Sequence, residues 1–285
     1  MNYRHAFHAG NFADVLKHIV LARILAYLVR KETPVRVVDT HSGIGLYDLS
    51  SDEAIRTNEA RDGVEKLLAS PIPPEIAALL APWQEAIAAE NPGGGLLVYP
   101  GSPAIARRLT RRQDRLTFVE LHPQDARVLA LQFAAEKRAK IVELDGWLAL
   151  NSFVPPKETR GLVLVDPAFE EPGELDRLTT GLAKAWRKWS TGVYLGWFPI
   201  KTGGEADFVR DGLADAGISR GYVVDFRVRA VSPGPLPGCG LAILNPPFTL
   251  ADELKTLLPW LVKTLGHGGP GAAAKVLALP QTRGE

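Results

Sequence analysis

Three carboxylates stand at the ends of short apolar runs in this sequence: Glu120, Asp145 and Asp166. Where such runs form parallel strands, their carboxyl ends share one edge of the sheet, and the residues that follow can meet around a ligand. Glu120 suits the paired hydroxyls of a ribose, and Asp145 an adenine amino group, because an ionised carboxylate accepts hydrogen bonds with both oxygens. Each of these residues alone could equally belong to a solvent-exposed loop, so the prediction of a binding site rests on their occurrence together.

The loop Asp166-Pro167-Ala168-Phe169 has groups that could bind an amino group attached to an aromatic ring. The Asp166 carboxylate and the Pro167 carbonyl could accept its two hydrogens, which would turn the nitrogen lone pair towards an electrophile such as a methyl donor. Phe169 could stack on a base that has swung out. This chemistry requires neither a metal nor a covalent intermediate. The similar Asn245-Pro246-Pro247-Phe248 follows the last apolar run, far from the crevice by topology, and is predicted to be a structural turn.

The turn Asp39-Thr40-His41-Ser42-Gly43-Ile44-Gly45 follows the β-branched run Val35–Val38. Its glycines would let the backbone turn tightly and approach a ligand closely. A nicotinamide-binding turn requires a third small residue, and Asp48 stands at that position. His41 is also unusual for a pyrophosphate cradle, so the turn favours a ligand without phosphates, with a ligand-free structural turn as the alternative.

Strand and helix patterns alternate on both sides of this turn, which predicts an α/β protein with a doubly wound parallel sheet. Five strand–helix units are followed by a hairpin-like pair. The predicted strands are Val35–Val38, Leu116–Glu120, Ala139–Leu144, Gly161–Val165, Val193–Trp197, Tyr222–Val231 and Leu241–Leu244. The predicted helices include Phe12–Arg30, Glu53–Leu68, Pro74–Glu90, Ser102–Arg112, His122–Lys137 and Gly204–Ala216.

Residues 49–95 interrupt this alternation with two helical patterns and no strand pattern. We therefore predict a main domain from residues 1–48 and 96–285, with a small helical subdomain inserted at 49–95. The inserted helices could contact a substrate or simply pack against the main domain.

The composition is that of an ordinary globular protein, with 46% hydrophobic and 23% charged residues and a net charge of +1. This balance argues neither for nor against nucleic acid. One cysteine, Cys239, excludes an internal disulfide and a Cys-rich zinc site and fits a reducing compartment. The first ten residues lack the apolar run of a signal peptide, and no run approaches the roughly 20 residues that span a bilayer. We expect a soluble, cytoplasmic protein.

Two basic segments could contact nucleic acid. Arginines at helical spacing could form one cationic stripe, with a solvated helix face as the alternative; they are Arg107, Arg108, Arg111 and Arg112, with Arg115 beyond. The segment Tyr3–His8 mixes aromatic and basic side chains and continues to Lys17 and His18. Such residues serve phosphate contact and base stacking.

Several segments resemble the RlmJ family of bacterial methyltransferases, which modify N6 of one adenine in large-subunit (23S) ribosomal RNA. The likeness runs over essentially the whole chain. The segments are Tyr3-Arg4-His5-Ala6-Phe7-His8-Ala9-Gly10-Asn11, Ala13-Asp14-Val15-Leu16-Lys17-His18, Asp39-Thr40-His41, Tyr99-Pro100-Gly101-Ser102-Pro103, Glu120-Leu121-His122-Pro123 and Asn245-Pro246-Pro247.

The resemblance implies a class I, Rossmann-like fold that binds S-adenosylmethionine (SAM), with a small helical subdomain inserted. It implies SAM contacts at His18, His41, Ser102, Glu120, Asp145, Gly146 and Asp166. It also implies that Asp166 accepts the amino group, with Pro167 and Phe169 beside it, and that Tyr3 and Lys17 lie on the RNA side. The expected partner is the ribosomal RNA, naked or in an early assembly intermediate, and the expected state is a monomer without metal.

The catalytic loop departs from the family, which has Asp-Pro-Pro-Tyr where this chain has Asp166-Pro167-Ala168-Phe169. Ala168 lacks the fixed φ of proline, so the loop could be less rigid, and Phe169 keeps the stacking face without the hydroxyl. Because the carboxylate and the first proline remain, activity is expected. The alternatives are a methyltransferase for DNA adenine or another amino substrate, a catalytically silent RNA-binding relative, and a nicotinamide oxidoreductase.

Overall fold

The computed structural model describes residues 4–268 and 270–280, which contain an eight-stranded sheet and a two-stranded ribbon. The strands are β1 (Val35–Asp39), β2 (Leu46–Asp48), β3 (Val98–Pro100), β4 (Arg115–Glu120), β5 (Ala139–Glu143), β6 (Arg160–Val165), β7 (Val193–Ile200), β8 (Gly221–Arg227), β9 (Gly238–Leu244) and β10 (Ala273–Ala278). The large sheet has the order β10-β8-β9-β7-β6-β1-β4-β5, and β2 pairs with β3.

The first five strands of the large sheet form parallel pairs, and the last three join the sheet through antiparallel pairs. β1 lies between β4 and β6, β5 and β7 flank them, and all of these pairs are parallel. β9 is antiparallel to both β7 and β8, which confirms the predicted hairpin-like pair at the end of the chain. The chain order reverses at β1, so the crevice opens where β1, β4 and β6 end. This topology confirms the predicted class I fold.

Helices cover both faces of the sheet, and for this reason its central strands can be apolar throughout. They are α1 (Phe12–Leu28), α2 (Asp52–Thr57), α3 (Lys66–Ala69), α4 (Pro74–Glu90), α5 (Ser102–Leu109), α6 (Pro123–Gln132), α7 (Gly146–Ser152), α8 (Glu174–Lys188), α9 (Glu205–Asp215) and α10 (Leu250–Leu265). A short 3-10 helix, His5–Phe7, precedes α1, and a π-helical turn, Arg61–Glu65, precedes α3.

Helix α1 is buried around most of its circumference, as expected of a helix that is apolar on all sides. Asn11 caps it, because the Asn11 side chain accepts hydrogen bonds from the backbone N–H groups of Ala13 and Asp14 at 2.9 Å. Since so much of the helix faces the core, its polar residues Asp14, Lys17 and His18 are carried into the protein interior.

The segment between β2 and β3 is helical and contains no strand, as predicted. Its first helical pattern is broken, however, because Asn58 adopts a left-handed φ of 52° and ends α2. Trp83, Leu67 and Val64 from this segment belong to the same hydrophobic cluster as the apolar residues of α1. The segment is thus packed onto the helical layer of the main sheet.

Three further differences from the sequence prediction have simple causes. The ribbon β2–β3 was not predicted because its strands have only three residues each, and the edge strand β10 was not predicted because it follows a glycine- and alanine-rich stretch. The strand expected to end at Val231 ends at Arg227, before the proline-rich turn. Helix α5 ends at Leu109 rather than Arg112, so the arginines beyond it do not continue its surface.

Candidate active site

A cleft of about 870 Å³ opens at the carboxyl edge of the parallel strands. The structure brings together in its wall the described residues that the sequence prediction had nominated; they are Lys17, His18, His41, Ser102, Glu120, Asp145, Gly146, Asp166, Pro167 and Phe169. Tyr3 lies outside the described residues. A cavity of this size is large enough for a nucleoside-sized ligand together with part of a second molecule.

The glycine turn after β1 is tied to the end of β4 by Glu120. The backbone N–H of Gly43 donates to Glu120 Oε2 and that of His122 donates to Oε1, both over 2.8 Å. Gly43 and Gly45 have φ values of 57° and 85°, which glycine adopts without strain. Burial raises the pKa of Glu120. The carboxylate is therefore fixed in orientation, and its remaining lone pairs are available to hydroxyl donors.

His41 is held as a neutral imidazole at the floor of the cleft. The Thr40 hydroxyl donates to the carbonyl of Leu164 over 3.0 Å, so its oxygen accepts from His41 Nδ1 over 2.8 Å. Burial lowers the pKa of His41 to about 4. With the proton on Nδ1, the Nε2 atom keeps a lone pair that can accept a hydrogen bond.

Gly146 packs so closely against this histidine that no side chain fits. A Cβ added to Gly146 would lie 2.5 Å from Nε2 of His41 and closer still to the Thr40 carbonyl oxygen. Trp147 follows, with its ring edge-on to His41 at a centroid separation of 5.6 Å. Only glycine therefore fits at the start of α7, where the backbone packs directly against Thr40 and His41.

Asp145 has a structural task besides its predicted one. Its Oδ1 accepts from the backbone N–H of Leu148 over 2.9 Å and so caps α7. Arg177 approaches the same carboxylate at 3.9 Å and stacks over Trp147 with its guanidinium carbon 4.9 Å from the ring centre. The carboxylate, the indole and the guanidinium together form one side of the cleft.

Ser102 is the first residue of α5, as the predicted helix Ser102–Arg112 had it. Its hydroxyl donates to Oδ2 of Asp39 over 2.7 Å, and the backbone N–H of His41 approaches Oδ1 at 3.3 Å. Asp39 is 1% exposed and forms no ion pair within the described ranges. Burial raises its pKa to about 7. A cation bound in the cleft would favour the ionised form of this carboxylate.

Asp166 and α1 are joined by a chain of charged groups. The ammonium of Lys17 lies 2.5 Å from Asp166 Oδ2 and 2.9 Å from Asp14 Oδ1. Oδ2 of Asp14 in turn lies 2.8 Å from His5 Nε2 and accepts from the backbone N–H of Gly10 over 3.0 Å. Lys17 is 4% exposed and Asp14 1%. The Lys17 ammonium is thus directed at the loop Asp166-Pro167-Ala168-Phe169 from inside the core.

The charges of this group stabilise one another. Burial by itself would lower the pKa of Lys17, but Asp14 and Asp166 outweigh it and raise that pKa above its usual range. Burial would likewise raise the pKa of Asp14, yet His5, Lys17 and His18 hold it well below its usual range. Asp14 was not predicted to be part of the site, although its i, i+3 spacing to Lys17 on an apolar helix indicated an ion pair.

The two proline-containing loops differ in backbone conformation. In the first, Phe169 has a φ of 53° and its ring packs edge-on against Trp197 at 5.7 Å. A bulky residue in the left-handed region is uncommon and often marks a functional loop. In the second, the left-handed residue is Asn245, whose amide donates to the carbonyls of Ser190 at 2.7 Å and Gly192 at 2.8 Å. This second loop is a structural turn, as predicted.

His18 is buried in α1 and bonded to the ribbon, with its Nδ1 2.9 Å from the hydroxyl of Tyr99. Burial lowers its pKa to about 3. In the unfolded chain its pKa would be near 6.5, so between these values the unfolded state binds more protons than the folded state. His18 therefore makes the fold less stable as the pH falls below about 6.5.

We expect this dependence to be measurable by denaturant unfolding at pH 7.5, 6.0 and 5.0. For His18→Gln, the free energy of unfolding should fall less steeply below pH 6.5 than for the unmodified protein, by up to about 1.4 kcal/mol per pH unit. Equal slopes for the two proteins would show that His18 is protonated in the folded state.

The predicted arginine stripe is wrong. Arg107 and Arg108 pair with Glu90 at 2.5 Å and Glu85 at 2.8 Å, which lie on α4. Arg111 donates to the carbonyls of Val29, Lys31 and Thr33 and to the Asp114 carboxylate. These arginines fasten α5 and the following turn to their neighbours, so their positive charge is already used within the fold.

The described residues contain neither a grouped set of metal ligands nor a helix suited to a membrane. No three or more His, Cys, Asp or Glu side chains between residues 4 and 280, Gly269 apart, are grouped so that they could hold a metal ion. No helix in that part of the chain is both long and apolar enough to cross a bilayer.

Comparison with known proteins gives consistent matches. A family model described as "Ribosomal RNA large subunit methyltransferase D, RlmJ" matches residues 32–276. A protein of Escherichia coli K12 named "Ribosomal RNA large subunit methyltransferase J" is 35% identical over 282 residues, which are 99% of this chain and 100% of that protein. A Haemophilus influenzae protein of the same name is 38% identical over 275 residues, covering 95% of this chain and 96% of its own length.

Solved structures agree on the fold. A crystal structure of a Legionella pneumophila protein superposes with a TM-score of 0.85 at 32% identity, covering 97% of this chain and 99% of the other. A probable spermidine synthase from Corynebacterium glutamicum reaches a TM-score of 0.50 at 14% identity, over 94% of this chain and 75% of the other. The second likeness concerns the fold alone.

Proposed function

This chain belongs to the RlmJ family of large-subunit ribosomal RNA methyltransferases, and on that premise we propose that it methylates the exocyclic N6 amino group of an adenine in 23S ribosomal RNA. Its activity is SAM-dependent methylation of ribosomal RNA. The observation that carries the choice of an amino group is the position of Asp166 and Pro167 at the end of β6, in the wall of the same cleft as the glycine turn.

The residues of the cleft fit SAM, which supplies the electrophilic methyl group when bound. Glu120, held by two backbone N–H groups, suits the ribose hydroxyls. Gly146 and the neutral His41 both line the cleft, where they could contact the adenine ring. The buried Asp39 carboxylate favours a ligand with a positive charge.

On the acceptor side, Asp166 is placed to receive an amino group. Lys17 contacts Oδ2, which leaves Oδ1 and the Pro167 carbonyl to accept the two amino hydrogens. These bonds would orient the nitrogen lone pair and stabilise the positive charge that arrives on the nitrogen, and Oδ1 could then take the surplus proton. Phe169 and Trp197 offer aromatic surfaces for the base. Ala168 and Phe169 leave the Asp166 carboxylate and the Pro167 carbonyl in place, so their departure from the family pattern is compatible with activity.

Three further proposals rest on this assignment. The helices of residues 49–95 form a small subdomain inserted in a main domain of 1–48 and 96–285. The protein acts as a monomer in the cytoplasm, where its RNA is found. The substrate is naked RNA or an early assembly intermediate.

The function is tested by incubating the purified protein with methyl-labelled SAM and one of two polymers. One is protein-free large-subunit RNA from a strain that lacks the enzyme, and the other is adenine-containing duplex DNA. We expect label in the RNA, recovered as N6-methyladenosine after nuclease digestion. Label found only in the DNA would show that DNA, and not RNA, is the substrate. SAM binding without transfer to either polymer would show that the protein is a catalytically silent relative.

Gly146→Ala is expected to weaken SAM binding. The new methyl group would overlap His41 and the Thr40 carbonyl, so the floor of the cleft would have to shift. Overpacking of this kind costs roughly 1–3 kcal/mol, which corresponds to about a 5- to 150-fold loss of affinity if the whole cost falls on the SAM site. Calorimetric titration with SAM measures it. Gly212→Ala is the control, because its Cβ would meet Thr179 at an ordinary 3.4 Å in a helix that contributes no glycine to the cleft.

A further inference from the structure

Two basic side chains that line the cleft, Arg229 and His267, have no use in the proposed reaction, and Lys66 lies beside them. Arg229 follows β8, His267 follows α10 and Lys66 begins α3, so three separate segments contribute. Arg229 Nη2 lies 2.6 Å from His267 Nε2, and Lys66 Nζ donates to the carbonyl of Gly266 over 3.1 Å. Arg229 and His267 both line the cleft that contains Asp166. We name Lys66, Arg229 and His267 the rim cluster.

Among the described residues, no carboxylate lies within ion-pair distance of the rim cluster. Two residues before Arg229, by contrast, Arg227 is clamped on Asp225 at 2.5 Å. Asp62 faces His267 and acts on its pKa from beyond ion-pair distance. Nε of Arg229 is also buried without a hydrogen-bond partner among the described atoms.

The contact between Arg229 and His267 fixes the state of the imidazole. Arg229 can only donate, so Nε2 of His267 must accept and the ring must be neutral. Burial and the positive charge of Arg229 both lower the pKa of His267. Two basic groups are thus held together at the cleft mouth without an anion between them. The forked N–H groups of an arginine match the oxygens of a phosphate group.

We propose that the rim cluster binds a phosphodiester of the RNA strand that carries the target adenine. This proposal rests on the proposed function. A base bound at Asp166 remains attached to its sugar and phosphates, and these must leave the cleft through its mouth. A contact of this kind positions the strand and adds affinity without selecting a base.

The test compares Arg229→Gln with Arg112→Gln in the full-length protein. Arg112 is an exposed arginine outside the cleft, so its loss removes one charge without touching the rim cluster. Binding of protein-free large-subunit RNA is measured by filter binding at several KCl concentrations. For Arg229→Gln we expect a Kd about 3- to 10-fold higher and a slope of log Kd against log salt that is smaller by about one. SAM affinity should not change.

The outcomes separate this proposal from the function itself. If both variants bind RNA with the same Kd and the same salt slope while the unmodified protein methylates it, the rim cluster is not a phosphate site and the function stands. If Arg229→Gln lowers label transfer at saturating RNA but leaves the slope of log Kd against log salt unchanged, the Arg229 side chain serves the reaction itself. This result too would overturn the phosphate site. If the unmodified protein methylates no RNA, the proposed function fails whatever the slopes.

Discussion

Asp166→Asn is expected to lower kcat for methyl transfer to RNA by about 100- to 1,000-fold, the usual cost of removing one group that stabilises developing charge. Asparagine has the same shape, but it lacks the negative charge that offsets the positive charge on the amino nitrogen, and its amide donates where the carboxylate accepts. Lys17 keeps Asp14 as an ionic partner in this variant, so the fold should survive. Single-turnover transfer at saturating SAM and RNA measures the effect.

The second proline-containing loop supplies the control. Asn245→Ala removes two hydrogen bonds that hold the end of β9 to the turn before β7. It should lower the free energy of unfolding by about 1–3 kcal/mol, because the carbonyl of the buried Gly192 loses its donor. Its kcat should not change. A normal rate for Asp166→Asn, or a large loss of rate for Asn245→Ala, would contradict the proposal that the Asp166 loop, and not the Asn245 loop, takes part in catalysis.

The sheet and the site edge could be predicted because both follow from local rules. Runs of β-branched residues such as Val35–Val38 indicate buried parallel strands, and the residues that follow parallel strands meet at one edge. Asp145, Asp166 and Glu120 were therefore found from their positions alone. His18 and Ser102 were found only through the family resemblance, because they reach the cleft from helices whose packing no local pattern encodes.

What the sequence could not provide was the pairing of charges in three dimensions. The arginine stripe of α5 looked free because its partners, Glu85 and Glu90, lie on a helix of the inserted segment. Arg229 and His267 were not predicted to interact because 38 residues separate them in the sequence. Local spacing shows which charges could pair along one helix, but the packing of distant segments decides which charges remain unbalanced.

Lys17→Met is expected to lower the free energy of unfolding by about 3–5 kcal/mol, the cost of leaving a buried charge without its partner. Asp14 and Asp166 would both lose the ammonium that lies between them. Adding Asp14→Asn should recover part of this loss, because the double variant no longer carries an ionised, 1% exposed carboxylate beside an apolar side chain. Urea denaturation of the two single variants and the double variant gives the coupling energy directly.

A second pair in the same chain isolates the effect of burial. Asp252 and Lys255 have the same i, i+3 spacing and an N–O distance of 2.8 Å, against 2.9 Å for Asp14 and Lys17, but the Lys255 side chain is 73% exposed. Lys255→Met should therefore change stability by less than about 1 kcal/mol. A small loss for Lys17→Met as well would mean that water reaches the interior pair. A large loss of stability for Lys17→Met that Asp14→Asn does not recover would instead mean that Lys17 stabilises the fold mainly through its contact with Asp166.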